Sequence, residues 1–271
     1  MKKLILIISI FLVSNLLADD IKLWEKSTLN SIVQRGELRV GLDPQYMPFE
    51  MKDKKGRLIG YDIDMAKKMA KEMGVKVKFV STAWDGIIAG LITGKFDIIM
   101  SGMTITQQRN LKINFANPYV VVGQTVMIKK DLKSKIKSAK DLDNAQYTVV
   151  TKQGTTGEIA ARKFFKNAKI VTFEGEADAA SELLNGSADA MIYDKTYNVL
   201  FMAKKGSDSL VHFDTPLTYE PFGWAIRKGD PDFLNWLNRF LEQIKNDKIN
   251  NFHEKLEKKW LKDSDWLKRV Q

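Results

Sequence analysis

The chain has 271 residues, 44% hydrophobic and 10% aromatic, enough for one large or two medium domains and inconsistent with intrinsic disorder. It has no cysteine, which excludes a disulfide framework, a thiolate metal site and a lipid anchor built on one. The formal net charge of +10 comes from lysines spread along the chain, not gathered in one arm or stripe, and so reads as solvated surface rather than a nucleic-acid footprint.

The chain opens on Lys2 and Lys3, followed by an apolar run from Leu4 to Leu17 broken only by Ser9, Ser14 and Asn15. Ala18 then offers a small residue for cleavage. This pattern predicts a signal peptide over residues 1–18 and export to the periplasm. The run is too short for a typical membrane span, and no other segment is apolar enough to be one.

Residues 21–36 read as a helix, with Leu23, Ile32 and Val33 apolar and Gly36 as its stop. Leu38-Arg39-Val40 is the first strand, and a loop fixed by Pro44 and Pro48 follows it. That loop carries Asp43 and Tyr46. Each has an ordinary reading, an Asx-turn for Asp43 and plain packing for Tyr46, beside a ligand-binding one. Ile63, Ala66, Met69, Ala70 and Met73 keep helical spacing, with Asp62 as expected cap and Gly74 as stop. Val75–Val80 is a strand. Trp84 then lies on a loop before a helix holding Ile87, Ile88 and Leu91, where it is either core or the wall of a pocket.

The most informative stretch comes next. Ile98, Ile99 and Met100 form a short buried strand, and the chain turns polar within one step at Ser101, Gly102, Met103 and Thr104. Small hydroxyl residues and a glycine let a ligand approach the backbone. Arg109 follows, with a rigid fork suited to a carboxylate; its ordinary reading is a surface arginine.

The segment Leu91–Met100 has a second copy. Leu91-Ile92-Thr93-Gly94, two spacers, Asp97 and three apolar residues match Leu183-Leu184-Asn185-Gly186, two spacers, Asp189 and three apolar residues. Each reads as a helix closed by Gly and a buried strand led by Asp. Ser101 and Gly102 follow the first strand; Tyr193 and Asp194 stand at the matching places after the second. Ligands of open α/β sheets bind at the carboxyl ends of strands. Two such units facing each other would set Arg109 on one wall and Asp194 on the other. That is a cation for a carboxylate and an anion for an ammonium, the needs of a free amino acid.

Between the copies, Val120–Lys129 reads as an extended strand crossing into a second lobe, and residues 130–143 as a lysine-rich surface connection. Tyr147–Val150 is a strand. Gln153-Gly154-Thr155-Thr156-Gly157-Glu158 opens a helix whose free N–H groups suit an anion, although Thr155 and Thr156 also read as an ordinary cap. Lys169–Phe173 is a strand and 176–185 a helix. Pro221–Ile226 runs back to the first lobe, and the chain ends in helices bearing Phe233, Trp236, Leu237 and Phe240, then Phe252, Leu256 and Trp260. The expected division is lobe 1 over 19–121 and 220–271 with lobe 2 over 122–219 inserted in it, the two crossings acting as a hinge.

These motifs together resemble the periplasmic amino-acid-binding proteins of ABC importers, the family 3 solute-binding proteins. The matching residues are Gly41, Asp43, Tyr46, Pro48 and Phe49; Gly60-Tyr61-Asp62-Ile63-Asp64; Trp84-Asp85-Gly86-Ile87-Ile88; Thr104-Ile105-Thr106 with Arg109; Phe115 with Pro118-Tyr119; Gly154-Thr155-Thr156; and Tyr193-Asp194. The resemblance implies an α/β, type II periplasmic-binding-protein fold, two lobes joined by a two-strand hinge with the ligand cleft between them. It implies that Arg109 takes the ligand carboxylate with help from the backbone at Thr104 and Thr155. Asp194 takes the ammonium with Thr104 and the Gly102 carbonyl. Tyr46 and Trp84 sandwich the side chain, and Asp43 faces its far end. Ser101, Met103, Gln153 and Thr156 complete the expected lining. Asp43 points to lysine or arginine, with glutamine or another polar amino acid as the alternative. No cofactor is expected, and the implied partners are the amino acid and an inner-membrane permease, with the protein itself a monomer. The competing reading is a dehydratase acting on cyclohexadienyl substrates on the same fold. It needs a general acid shortly after Asp194, and Asp194-Lys195-Thr196-Tyr197 supplies no glutamate there.

Overall fold

The computed structural model describes residues 26–206 and 208–270, so the expected signal peptide and the first part of the expected 21–36 helix lie outside the described residues. Helix α1 (Thr28–Arg35) is capped by the Ser27 hydroxyl and stopped by Gly36 at φ 68°. Ile32 is buried, whereas Val33 is half exposed. Strand β1 (Glu37–Leu42) leads through the proline loop to a hairpin of β2 (Met51–Lys52) and β3 (Leu58–Ile59).

Helix α2 (Tyr61–Glu72) departs from expectation at its start. Its N-cap is Gly60, and Asp62 lies inside the first turn with no capping role. Gly60 sits at φ 142°, and a Cβ there would meet the Phe49 carbonyl oxygen at 2.1 Å, so only glycine turns this corner. Asp62 instead faces inward, accepting the Gly102 N–H at 3.0 Å and the Tyr119 hydroxyl at 2.8 Å.

After β4 (Lys76–Ser81) comes α3 (Trp84–Ile92), so Trp84 is the first helical residue and not a loop residue. Then follow β5 (Ile98–Ile99), the short α4 (Gln107–Asn110) and β6 (Asn114–Phe115). The expected single strand over Val120–Lys129 is two, β7 (Val120–Val122) and β8 (Gln124–Lys129). Gly123 separates them where a Cβ would meet the Thr218 carbonyl oxygen at 2.6 Å.

The second unit runs β9 (Thr148–Lys152), α5 (Thr156–Phe164), β10 (Lys169–Phe173), α6 (Glu176–Leu184), β11 (Ala190–Asp194), α7 (Lys195–Phe201) and β12 (Leu210–Phe213). The chain returns through β13 (Glu220–Phe222) and β14 (Ala225–Ile226) and ends with α8 (Pro231–Asn246) and α9 (Phe252–Glu257).

Two five-stranded sheets result, in the orders β4-β1-β5-β14-β6 and β10-β9-β11-β8-β12. In each, the first three strands are parallel and the fourth is antiparallel. The repeat seen in the sequence is therefore a repeat of topology. Gly94 and Gly186 close the matching helices at φ 77° and 85°. The matching aspartates do the same job: Asp97 accepts the Arg39 N–H and Asp189 the Thr148 N–H, each at 2.9 Å, pinning the start of the neighbouring strand. The central strands β5 and β11 are buried on both faces, which explains why they read as unbroken apolar runs. Between the sheets, β7 and β13 pair antiparallel as the two crossings.

A train of rings ties the ligand-side loop to the last long helix. Tyr46 stacks on Phe49 at 5.1 Å between centroids, and Phe49, Tyr61, Tyr119, Trp224 and Phe240 continue it in steps of 5.3–6.0 Å. The chain's two ends in the first lobe are joined at Asp230. Its carboxylate caps α8 through the Phe233 N–H at 3.0 Å and also accepts the Ser27 hydroxyl at 2.8 Å and the Thr28 N–H at 2.6 Å. Asp230→Ala is expected to lower unfolding stability by about 1–2 kcal/mol, read as a lower urea midpoint at unchanged slope. An unchanged midpoint would mean that this junction carries no stability.

Candidate functional site

The carboxyl ends of both sheets face one enclosed cavity. From the first lobe it is lined by Asp43, Tyr46, Glu50, Trp84, Ser101, Gly102, Thr104 and Arg109, and from the second by Lys152, Thr155, Thr156, Tyr193 and Asp194. The lobes meet closely: the remaining space is about 20 Å³, room for the centre of little more than one water molecule. Ten of the twelve sequence-predicted residues meet here. The other two do not. Met103 is 1% exposed and packs with Ile87, Phe96 and Ile99 in the first lobe's core. Gln153 is exposed, its N–H turned to the Phe173 carbonyl at 2.8 Å as the β9–β10 ladder continues.

At one end of the cavity Arg109 is held in a fixed pose. Its N–H donates to the Thr106 hydroxyl at the start of α4, and its Nη1 donates to the Thr104 carbonyl at 2.7 Å. Its guanidinium lies 5.3 Å from the centre of the Trp84 ring. Burial pulls its pKa down to about 10, against the pull of Glu220 and Asp194, so it stays charged at neutral pH.

Asp194 ends β11 on the opposite wall. It accepts Gln124 Nε2 at 2.7 Å and the Tyr46 hydroxyl at 2.9 Å, the latter from across the cleft. Burial, and then Glu220 on the crossing strand, push its pKa up to about 7, although Tyr46, Gln124 and Arg109 favour the charged form. Two further bonds cross the cleft beside this pair. Trp84 Nε1 donates to the Gly154 carbonyl at 3.0 Å, and the Thr104 and Thr156 hydroxyls are 3.3 Å apart. Thr155 caps α5 by accepting the Glu158 N–H, and its own hydroxyl donates to the Lys152 carbonyl at 2.7 Å.

Gly102 closes the floor. Its φ is 51°, and a Cβ there would fall 2.3 Å from the Tyr46 ring. Glycine is therefore required both for the backbone turn and for the ring above it.

The other end of the cavity holds what sequence reasoning missed. Lys152, the last residue of β9, is buried with its ammonium 2.7 Å from Asp43 and 2.8 Å from Glu176. Burial works against its charge, but Glu176 and Asp43 outweigh that and hold its pKa above the ordinary value. Asp43 is thus not an Asx-turn residue; its side chain faces the cavity and is engaged by a cation from the opposite lobe. Ser101 accepts the Asp43 N–H at 3.0 Å and donates to Glu50 at 2.6 Å. Glu50 is fully buried. A lysine at a strand end normally carries its charge out to water, and a glutamate in a loop is normally exposed. The available signal was position alone: Lys152 lies two residues before the Gly154-Thr155-Thr156 turn, and Glu50 directly follows Pro48-Phe49.

Two α/β lobes, two crossing strands, and a cation and an anion opposed across a closed cleft define a type II periplasmic amino-acid-binding protein. Residues 38–263 match the family model of the bacterial extracellular solute-binding proteins, family 3, and the chain belongs to that family. A chain from Wolinella succinogenes, described as a binding component of an ABC transporter and complexed with lysine, is 59% identical with a TM-score of 0.83; the match covers 86% of this chain and 99% of that one. The L-cystine-binding protein TcyJ of Escherichia coli is 30% identical over 223 residues, 82% of this chain and 83% of that protein. A cyclohexadienyl dehydratase of Pseudomonas aeruginosa is 30% identical over 217 residues, 80% of this chain and 81% of the enzyme. The chain is accordingly a solute-binding protein of the amino-acid ABC-transporter type.

The raised pKa of Asp194 has a consequence for binding. A ligand ammonium needs the ionised carboxylate, which becomes the minor form below about pH 7. Affinity for any amino acid is therefore expected to fall by up to about tenfold per pH unit as the pH drops below this value. Calorimetric titrations between pH 5 and 8 on the scale of about one proton per site check this; a flat profile would show that Asp194 is ionised throughout.

Proposed function

We propose that this chain captures one free L-amino acid, lysine or arginine, by closing its two lobes over it, and hands it to an inner-membrane ABC permease. It works as a periplasmic monomer exported by a signal peptide over residues 1–18. Residues 19–121 and 220–271 act as lobe 1 and 122–219 as lobe 2. The observation that carries this reading is the opposition of Arg109 and Asp194 across the cleft, Arg109 held by the Thr104 carbonyl and Asp194 by the Gln124 side chain. An α-carboxylate on Arg109 and an α-ammonium on Asp194 fix the ligand head group, and binding to both draws the lobes together. The lysine found in the Wolinella succinogenes protein supports a basic ligand.

One observation favours a neutral polar side chain such as that of glutamine. Asp43, the acid expected to face the ligand's far end, is already paired with Lys152. A neutral amide could accept from the Lys152 ammonium without displacing it. The enzymatic reading draws on the dehydratase relative and on Glu50, a buried acid in the cleft. Against it, Asp194-Lys195-Thr196-Tyr197 offers no acid beyond Asp194 itself.

Thermal shift with free amino acids tests ligand class, because a ligand that binds only the folded chain raises its apparent stability. Lysine or arginine is expected to give the largest shift; a shift with glutamine alone would select the neutral reading. Arg109→Ala and Asp194→Ala are each expected to weaken binding by at least ~30-fold, from the ~2–5 kcal/mol lost when one partner of a buried charge pair is removed. Near-native affinity in either variant sinks the head-group assignment. Prephenate or arogenate incubated with the pure protein should be recovered unchanged, and turnover would overturn the carrier reading.

A further inference from the structure

At the inner end of the cavity the acids outnumber the cations facing them. Asp43 and Glu176 share the single ammonium of Lys152. Glu50 has none. Its Oε1 accepts the Ser101 hydroxyl at 2.6 Å, while its Oε2 has no hydrogen-bond partner, although the side chain is fully buried and lines the cavity. An unpartnered buried carboxylate oxygen is costly and marks a position that something else completes.

The groups around Glu50 do not supply a cation. Asp62 faces it from α2, Asp43 from the loop after β1 and Glu176 from α6, and the nearby Tyr46 and Tyr119 hydroxyls donate to other acids, Asp194 and Asp62. Lys152 is held by two other carboxylates. Burial first, and Asp62 next, hold the Glu50 carboxyl well above the usual carboxylate range, with only Ser101 favouring the charge. The protonated form is therefore the favoured one in this setting.

We propose that Glu50 is the specificity-determining acid for the ligand side chain: its free Oε2 accepts the cationic end of a basic amino acid, and its proton leaves to solvent as that cation arrives. The inference rests on the basic-ligand reading above. It answers the difficulty that Asp43 raises, because the ligand cation no longer has to displace Lys152. A neutral side chain asks for no ionisation, so Glu50 keeps its proton and donates to an amide oxygen. The cleft then separates the two ligand classes by proton count as well as by affinity. Asp194 loses its proton to solvent when the α-ammonium of any amino acid pairs with it, so the mark of Glu50 is the additional proton that only basic ligands release.

The experiment is titration calorimetry of the whole chain near pH 6 in two buffers of different ionisation enthalpy, with L-lysine and L-glutamine, on wild type and Glu50→Gln. Glutamine at position 50 keeps the shape and the Ser101 hydrogen bond, and an unchanged melting temperature confirms the fold. For lysine, wild type is expected to release up to about one proton more than the variant, and the variant to bind about 10- to 100-fold more weakly. Glutamine binding should change little in either respect. Wild type alone gives a second readout, a larger proton release with lysine than with glutamine. Equal release in the two comparisons, or wild-type lysine affinity in Glu50→Gln, overturns the role of Glu50 and leaves the basic-ligand reading standing. Failure of wild type to bind lysine or arginine at all overturns both.

Discussion

A charge taken out of water has to be paired, or it has to be neutralised by a proton, and the cleft of this protein uses both solutions a few ångströms apart. Lys152 is buried as a cation because Asp43 and Glu176 both reach it. Arg109 stays charged because Glu220 and Asp194 partly offset its burial and the Trp84 face lies against it. Asp194 sits at the balance point, held at about 7 by burial against three groups that favour its charge. Glu50 falls on the other side, with Ser101 alone favouring ionisation. The cleft thus places a carboxylate near the balance between its two states beside one that favours its proton, so the protonation of both is sensitive to any charge brought in.

The scaffold makes this possible by repeating one unit and varying only the strand ends. Asp97 and Asp189 pin neighbouring strands through the same backbone bond, and Gly94 and Gly186 end the same helix in the same way. With the backbone settled by residues remote from the cavity, the positions just after β5 and at the end of β11 are free to differ. One becomes Ser101-Gly102, which opens space and offers backbone; the other becomes Tyr193-Asp194, which fills space and offers charge. Hydrogen bonds then bridge the cleft from Tyr46 to Asp194, Trp84 to Gly154, Thr104 to Thr156 and Lys152 to Asp43. Each joins a strand end, loop or helix start of one lobe to the other, so these contacts exist only where the lobes meet.

The parts of the molecule that could be read from sequence are those with a short-range signature. Apolar runs, glycine stops and the repeated Gly-x-x-Asp spacing gave the strands, the helices and the pairing of Arg109 with Asp194 around one cavity. What escaped was long-range. Asp62 looks like a cap because an acid near a helix start usually is one, and only the approach of Phe49 to Gly60 shows that the corner is already taken. Trp84 looked like a loop residue because no side-chain cap marks the start of α3. The break at Gly123 depends on Thr218, far along the chain. Met103 and Gln153 were drawn into the site by their neighbours, but Met103 packs into the core with Ile87, Phe96 and Ile99 and Gln153 faces solvent. Lys152 carried no local mark at all, since its partners lie 109 and 24 residues away.

That last point bears on how a binding protein and an enzyme can share this fold. The groups proposed to recognise the head of an amino acid, Arg109 and Asp194, stand at or just beyond strand ends of the two lobes. The groups at the inner end, Asp43, Glu50, Lys152 and Glu176, form a cluster in which Asp43 and Glu176 hold Lys152 as a cation and burial with the neighbouring acids raises the pKa of Glu50. This cluster lies at the strand ends, away from the Asp97 and Asp189 bonds that pin the strand starts. A buried acid that holds its proton until a cation arrives is a recognition device. The same acid facing a leaving hydroxyl group would have a proton to give. The physical distance between the two roles is a matter of what the cluster lets Glu50 face, not of building a new site.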